Sequence, residues 1–170
     1  MSDPAATLEP LVAQLAAALL ARGATMVSAE SCTGGLIAAA CTALAGSSRW
    51  FERGVVTYSN AAKAELLAVP AALIAEHGAV SEPVARAMAA GALGYSPAHF
   101  SVAVTGIAGP DGGTLAKPVG TVWIATGARG AAPEATLLHA AGDRGSVRAQ
   151  SVARALELLL ARIAATPLAR

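Results

Sequence analysis

The hydrophobic positions of the chain recur alternately with the spacing of helices and of strands. Leucine and valine side chains at helical spacing over 8–19 predict a first amphipathic helix that ends near Gly23. Short apolar runs typical of buried strands follow, and helical segments separate most of them. The predicted strands are 25–29, 54–58, 100–105, 121–125 and 135–140, and the later predicted helices are 36–44, 60–67, 70–77, 82–93 and one carrying the apolar stripe 152–163.

Strands that alternate with helices favour an α/β fold. We expect a single-domain three-layer α/β/α sandwich with a mixed, mostly parallel sheet, in which the last two strands form an antiparallel hairpin. Neither a linker nor an internal repeat is visible, so we expect residues 1–170 to form one domain with its core at about 7–163. Ligands bind beyond the carboxyl ends of strands in such sheets, which selects the loops 30–35, 58–63 and 105–120.

Composition argues against two classes of protein. The mean hydropathy of +0.55 arises mostly from 45 alanines, and the longest uncharged stretches, 31–48 and 87–110, are interrupted by Gly, Ser, Thr or Pro. A spanning helix needs roughly 20 consecutive apolar residues. Residues 1–4 contain no basic segment followed by an apolar run, so we expect no signal peptide, and 12 Lys+Arg against 11 Asp+Glu leave little net charge. We therefore expect a cytoplasmic protein that binds neither a membrane nor nucleic acid.

The first loop places Ser31 in a strand-to-helix turn, followed by Gly34 and Gly35. A hydroxyl there lies near the N–H groups of a helix start, which can hold an anion or a developing oxyanion. Ser31 is therefore a candidate nucleophile, although serine is also a common helix cap. Cys32 is a rival nucleophile, but cysteine is more often a small buried hydrophobe. Cys32 and Cys41 stand too far apart along one helix-opening segment for a disulfide, so we expect both to be reduced.

The second loop holds Tyr58, Asn60 and Lys63, and the chain has only two lysines. With Asn60 as the helix cap, Lys63 falls in the first turn, where the positive end of the helix dipole disfavours an ammonium. That placement lowers the lysine pKa, and a neutral amine in a partly desolvated cleft can take a proton from a serine. A solvated surface lysine is the alternative.

The third loop is rich in glycine over 105–113, which allows its backbone to approach a ligand closely. It lacks the spacing of a P-loop, and a long structural turn is the alternative. Arg144 and Arg148 flank the start of the last helix, where with Ser146 they could hold a phosphate or simply be solvated. The three histidines lie in unlike elements without metal-ligand spacing, so we expect neither a metal nor a cofactor.

Six motifs stand in order along the chain: A-E-S-C-T-G-G at 29–35, G-S-S-R-W-F at 46–51, G-V-V-T-Y-S-N at 54–60, H-G-A-V-S-E-P-V at 77–84, T-G-I-A-G-P-D-G-G-T at 105–114 and K-P-V-G-T-V-W at 117–123. Together they resemble the CinA C-terminal domain family, also called nicotinamide-nucleotide amidohydrolase or NMN deamidase, in its stand-alone form. The resemblance implies an α/β/α fold, a homodimer or higher homo-oligomer, and hydrolysis of nicotinamide mononucleotide (NMN) to nicotinic acid mononucleotide and ammonia without metal, in pyridine-nucleotide recycling.

The resemblance also implies roles for individual residues. Ser31 matches the nucleophile and Lys63 its base, with Tyr58 close by. Many relatives carry glutamate where this chain has Ala61 and Ala116, which changes local charge rather than the reaction. A nucleotide-binding module without catalysis and a thiol hydrolase that uses Cys32 remain the alternatives. The residues expected to line the substrate site are Thr33, Gly34, Gly35, Gly46, Ser48, Asn60, Thr105, Gly106 and Arg144.

Overall fold

A computed structural model describes residues 4–167, with side chains from Leu8 onward. Residues 1–3, on which the expectation about a signal peptide partly rests, and residues 168–170 lie outside the described residues. Within the described part, no helix combines the length and the hydropathy that a membrane crossing requires. The helices are α1 (Pro4–Leu20), α2 (Leu36–Ala43), α3 (Asn60–Leu67), α4 (Ala71–His77), α5 (Glu82–Gly94) and α6 (Arg144–Ala165), and the strands are β1 (Met26–Glu30), β2 (Phe51–Val56), β3 (Phe100–Gly106), β4 (Thr121–Ala128) and β5 (Glu134–His139).

The five strands form one sheet in the order β2-β1-β3-β4-β5. β1 pairs in parallel with both β2 and β3, whereas β4 is antiparallel to β3 and to β5. Four of the five strands therefore run in the same direction. The predicted mixed, mostly parallel sheet and its C-terminal hairpin are confirmed.

β2 begins earlier than the sequence pattern predicts. It starts at Phe51 rather than Gly54, and its register runs from Met26 opposite Phe51 to Glu30 opposite Val56. The early part of this strand carries Glu52 and Arg53, which pair with each other in a salt bridge. Because β2 is an edge strand, charged side chains are tolerated there, and they hide the strand from a search for apolar runs.

Helices cover both faces of the sheet. α1, α2 and α6 pack over one face, and α3, α4 and α5 pack over the other. The pleat of β1 serves both layers, because Met26 belongs to the first core and Val27 and Ala29 belong to the second. This is the predicted α/β/α arrangement, and it leaves the carboxyl ends of β1, β2 and β3 at a common edge.

Small side chains bring α5 close to its neighbours. The side chains of Ala85, Ala89 and Ala92 are buried against the second face of the sheet. A Cβ atom at Gly91 would lie 1.9 Å from the carbonyl oxygen of Leu67, the last residue of α3. Only glycine allows α3 to pack this closely on α5, and this contact fixes the position of the helix that carries Lys63.

Candidate active site

Ser31 and Lys63 meet at the carboxyl ends of two adjacent parallel strands. Ser31 directly follows β1, and Lys63 lies on the helix that follows β2. A hydrogen bond of 3.1 Å joins Lys63 Nζ to Ser31 Oγ, and Lys63 Nζ also donates to the carbonyl oxygen of Thr57 at 2.8 Å. The side chains are 9% and 1% exposed for Ser31 and Lys63. The candidate nucleophile and the candidate base are thus in contact and largely shielded from water.

The local structure of α3 explains how Lys63 reaches the serine. Ser59, not Asn60, caps the helix, since its hydroxyl accepts a hydrogen bond from the Ala62 N–H at 3.0 Å. Lys63 is therefore the fourth helical residue, and its side chain leans back over the helix start, as helical side chains do. Burial lowers the pKa of Lys63 because desolvation disfavours the ammonium. The predicted direction of this shift agrees with the structure, although burial and not the helix dipole is its main cause.

The turn that carries Ser31 differs from a simple serine-capped helix start. α2 begins at Leu36, and its cap is Gly35, whose φ of 99° lies in the left-handed region that glycine adopts without strain. The Ser31 N–H donates to the carbonyl oxygen of Val104 in β3 at 3.0 Å, and the Gly34 N–H donates back to the Ser31 carbonyl oxygen. Ser31 is thus held by the neighbouring strand and by its own tight turn.

A buried carboxylate occupies the start of α2. Glu30 is fully buried, and its two oxygens accept hydrogen bonds from the N–H groups of Gly35, Ile37 and Ala38 at 2.9–3.0 Å. Its Oε1 also accepts from the Ser28 hydroxyl at 3.3 Å. The expectation that the N–H groups of this helix start are free for an oxyanion is therefore wrong, because Glu30 already uses them.

Two other N–H groups in the turn remain candidates for that role. Among the described residues, no acceptor is found for the N–H of Cys32 or of Thr33, the two residues that directly follow Ser31. Donors at these positions are suited to stabilise negative charge on a carbonyl oxygen that Ser31 attacks. The buried Thr33 hydroxyl also has no hydrogen-bond partner among the described residues.

Tyr58 and Arg144 connect the second and third loops above this turn. Arg144 Nη2 donates to the Tyr58 hydroxyl at 2.9 Å, and Arg144 Nη1 donates to the carbonyl oxygen of Gly109 at 2.8 Å. Both side chains are exposed. Among the described residues no hydrogen bond links the Tyr58 hydroxyl to Ser31 or Lys63, so Tyr58 lies at the border of the site.

The end of β3 packs directly against the turn at residues 31–35, which carries the candidate nucleophile Ser31 and is called the nucleophile turn below. A Cβ atom at Gly106 would lie 3.1 Å from Cys32 Sγ and 2.7 Å from Val122 Cγ2, so this position requires glycine. The neighbouring Thr105 is buried and donates its hydroxyl hydrogen to the carbonyl oxygen of Ala79 at 2.8 Å. The third loop therefore starts beside Ser31, as the sheet topology predicts.

The other predicted substrate-site residues divide into two groups. Thr33, Gly34 and Gly35 belong to the nucleophile turn, and Asn60 is exposed at the first position of α3. Within the chain, Gly46 and Ser48 are not brought together with Ser31, because they precede β2 and lie at the opposite end of the sheet. The parallel pairing of β1 with β2 fixes that separation within the chain.

A phosphate site built on both arginines and Ser146 is not supported. Arg148 donates to the carbonyl oxygens of Cys32 and Thr33, at 3.1 and 3.0 Å, and so faces the nucleophile turn. The Ser146 N–H donates to the Asp143 carboxylate at 2.8 Å, and this bond lowers the pKa of Asp143. A carboxylate thus takes the place proposed for the phosphate, and Arg144 alone remains as an exposed cation beside the site.

Cys32 and Cys41 are both free and buried. Desolvation raises the pKa of Cys32 to about 11 and that of Cys41 to about 12. Only the thiolate is a good nucleophile, so the protonated Cys32 thiol is poorly suited to the chemistry that Ser31 and Lys63 can perform.

The sequence matches the CinA C-terminal domain model over residues 8–163. The chain belongs to the CinA C-terminal domain family. It is 54% identical over 153 residues to nicotinamide-nucleotide amidohydrolase PncC from Escherichia coli K12, covering 89% of this chain and 92% of that protein.

Solved structures of CinA proteins share the fold. A competence/damage inducible protein, CihA, from Agrobacterium tumefaciens has a TM-score of 0.88 at 45% identity, covering 91% of this chain and 94% of that one. The competence damage-inducible protein A (ComA) from Klebsiella pneumoniae has a TM-score of 0.90 at 42% identity, covering 94% and 98%.

The sequence analysis misses the role of Glu30 and the contact that Arg148 makes with the turn. Glu30 lies inside the A-E-S-C-T-G-G motif, but nothing in its spacing reveals that it binds the start of α2. A carboxylate at the end of an otherwise apolar strand is the signal that could have identified it, because such a group is buried only with hydrogen-bond donors. Arg148 is separated from its partners Cys32 and Thr33 by 116 and 115 positions in the sequence. No local sequence pattern reveals a contact over such a separation.

Proposed function

We propose that this CinA-family protein is a nicotinamide-nucleotide amidohydrolase that converts NMN and water to nicotinic acid mononucleotide and ammonia by a Ser-Lys mechanism. The observation that carries the mechanism is the 3.1 Å contact between Ser31 Oγ and the buried Lys63 Nζ. The high identity to PncC supports the reaction and the substrate.

In the first half of the reaction, neutral Lys63 takes the proton of the Ser31 hydroxyl as Oγ attacks the carboxamide carbon. Hydrogen bonding to the Thr57 carbonyl orients the amine, and desolvation lowers the pKa of Lys63, which favours its neutral form. The N–H groups of Cys32 and Thr33 stabilise the oxyanion. Lys63 then passes the proton to the leaving nitrogen, the C–N bond breaks, and ammonia departs from an acyl-enzyme.

In the second half, water attacks the acyl carbon with Lys63 again as the base. The bond to Ser31 Oγ breaks, the proton returns to that oxygen, and the carboxylic acid product leaves. The same pair of residues thus serves both halves, and neither half uses the Cys32 thiol.

We propose that the residues around Ser31 and Lys63 bind the rest of the nucleotide. We assign Thr33, Gly34 and Gly35 to the reacting end, with Thr105 and Gly106 beside them. The exposed side chains of Tyr58, Asn60 and Arg144 form the outer border. Arg144 supplies a cation for the substrate phosphate. We propose Tyr58, which Arg144 holds at this border, as the third catalytic residue beside Ser31 and Lys63.

The decisive experiment measures ammonia release from NMN. Wild-type protein releases ammonia, and Ser31→Ala and Lys63→Met do not, although both remain folded by circular dichroism. Cys32→Ala is the matched control on the adjacent residue and keeps near-wild-type turnover. A wild-type protein that binds NMN without releasing ammonia would instead be a nucleotide-binding module, and an active Ser31→Ala protein would remove the serine from the mechanism.

We further propose that residues 1–170 act as one domain in the cytoplasm, as a homodimer or a higher homo-oligomer with no nucleic-acid partner. This proposal rests on the family resemblance and on the near-neutral composition. Light scattering after size exclusion tests the assembly, and a monomer at micromolar concentration contradicts it.

A further inference from the structure

Arg148 makes a contact that has no part in the proposed Ser-Lys mechanism. From the second turn of α6, its Nε donates to the Cys32 carbonyl oxygen at 3.1 Å and its Nη2 donates to the Thr33 carbonyl oxygen at 3.0 Å. The guanidinium therefore binds two consecutive carbonyls of the nucleophile turn. Such a planar, two-pronged donor fixes orientation as well as position.

The geometry of the peptide bond determines what this contact does. The Cys32–Thr33 peptide is trans, since the cis peptide bond among the described residues is Gly109–Pro110. In a trans peptide the C=O and the following N–H point in opposite directions. With its carbonyl bound to Arg148, this peptide directs the Thr33 N–H away from the arginine, and no described residue accepts from that N–H.

The charge of Arg148 also changes the strength of that donor. A charge-assisted hydrogen bond to a carbonyl polarises its peptide, which makes the attached N–H a better donor. Within the described side chains, no carboxylate lies within 4.0 Å of Arg148, so its charge is not neutralised by an ion pair. The next N–H along the turn, that of Gly34, is already used by the Ser31 carbonyl.

We propose that Arg148 is a positioning residue that orients and polarises the Cys32–Thr33 peptide, so that the Thr33 N–H stabilises the oxyanion formed when Ser31 attacks. This inference rests on the proposed function. It differs from the phosphate role considered for Arg148 at the outset, because it acts on the transition state and not on the binding of the nucleotide.

The two roles give different kinetics. Loss of an oxyanion donor lowers kcat by roughly 100- to 1,000-fold, so an imperfectly oriented donor in Arg148→Met should lower kcat by about 10- to 100-fold and leave KM within about twofold. Arg148→Lys keeps the charge but offers a compact ammonium instead of a planar fork, and we expect an intermediate kcat. Arg154→Met on the same helix is the control, because Arg154 is exposed and pairs with Glu157.

A second readout separates this inference from the proposed substrate. A fluorophosphonate probe labels an activated serine through a transition state that also places negative charge on an oxygen beside the nucleophile. Arg148→Met should slow the labelling of Ser31 by about 10-fold or more, with Ser31→Ala as the blank. This effect does not depend on which amide the enzyme hydrolyses.

The outcomes are distinct. Reduced kcat at constant KM, with slower labelling and an unchanged thermal midpoint, supports the inference. A raised KM for NMN at unchanged kcat overturns it in favour of a substrate-binding role, as does wild-type labelling in Arg148→Met. If wild-type protein labels at Ser31 but releases no ammonia from NMN, the proposed function fails while the labelling comparison still tests Arg148. If Arg148→Met does not fold, Arg148→Lys carries the same comparison.

Discussion

Replacing Glu30 with glutamine tests whether the buried carboxylate holds the nucleophile turn. Glutamine has nearly the same shape but keeps only one acceptor oxygen. In the Oε2 position that oxygen still accepts from the N–H groups of Gly35 and Ile37. The amide nitrogen then faces the Ala38 N–H, which loses its acceptor, whereas the Ser28 hydroxyl can rotate to accept from the new amide.

The magnitude follows from these contacts. Leaving the Ala38 N–H without an acceptor costs about 1–3 kcal/mol, and the two remaining bonds lose charge assistance at about 1 kcal/mol each. Removing a buried charge offsets part of this loss. We therefore expect Glu30→Gln to lower the free energy of unfolding by about 2 kcal/mol. It should also reduce kcat, because Ser31 directly follows Glu30 and lies in the turn that these hydrogen bonds hold.

Urea unfolding measures this loss, with the fluorescence of the two tryptophans, the buried Trp50 and the half-buried Trp123, as the signal. Glu65→Gln is the control, since Glu65 is exposed and should change the free energy of unfolding by less than about 0.5 kcal/mol. A Glu30→Gln protein within 0.5 kcal/mol of wild type, with unchanged kcat, would refute the assigned role of the carboxylate.

Three further predictions concern the helices and buried groups around the site. Because burial lowers the pKa of Lys63, the unfolded chain binds more protons between that pKa and about 10.4. The free energy of unfolding of wild type should therefore rise with pH across this window by up to about 1.4 kcal/mol per unit relative to Lys63→Met, and parallel urea titrations would contradict this. Gly91→Ala should destabilise the protein by at least about 2 kcal/mol and reduce turnover by displacing α3. Thermal melts measure this loss of stability. The control is Gly94→Ala, which adds a methyl group in open space on the same helix and should be neutral or slightly stabilising. The raised pKa values of the two cysteines predict that a disulfide reagent at pH 8 reacts at least about 100-fold more slowly with native than with urea-unfolded protein, and fast native labelling would disprove their burial.

The sequence was sufficient to predict the layers of the fold and the pair of residues at its centre. Helical and strand spacing are local properties, so the order of elements and the three loops at one sheet edge follow from them. Lys63 could be selected because it stands in the first turn of a helix directly after a strand. The apolar pattern places the start of the edge strand β2 too late, since the charged residues at its true start are tolerated only because the strand lies at the edge.

Contacts between distant segments limited the rest of the prediction. Ser48 precedes β2 and Ser31 follows β1, so the distance between them depends on whether the two strands run in the same direction. The parallel pairing of β1 and β2 puts Ser48 at the far end of the sheet from Ser31. The roles of Glu30 and Arg148 depend on hydrogen bonds to backbone groups, and residue type does not specify which backbone groups those are. The resemblance to the family implies a nucleophile and a base at Ser31 and Lys63, whereas the donors and acceptors that hold these two side chains are visible only in the structure.

The position of β2 has a consequence for how the protein loses activity. Ser31 and Lys63 both lie within the single crossover unit of residues 26–67, and β2 is held by a neighbouring strand on one side only. Edge strands open at lower free energy than central ones, and such an opening withdraws Lys63 from the serine while β3, β4 and α6 stay folded. Inactivation should then precede global unfolding, and hydrogen exchange in β2, rather than the melting temperature of the whole chain, should report the temperature range in which the protein works.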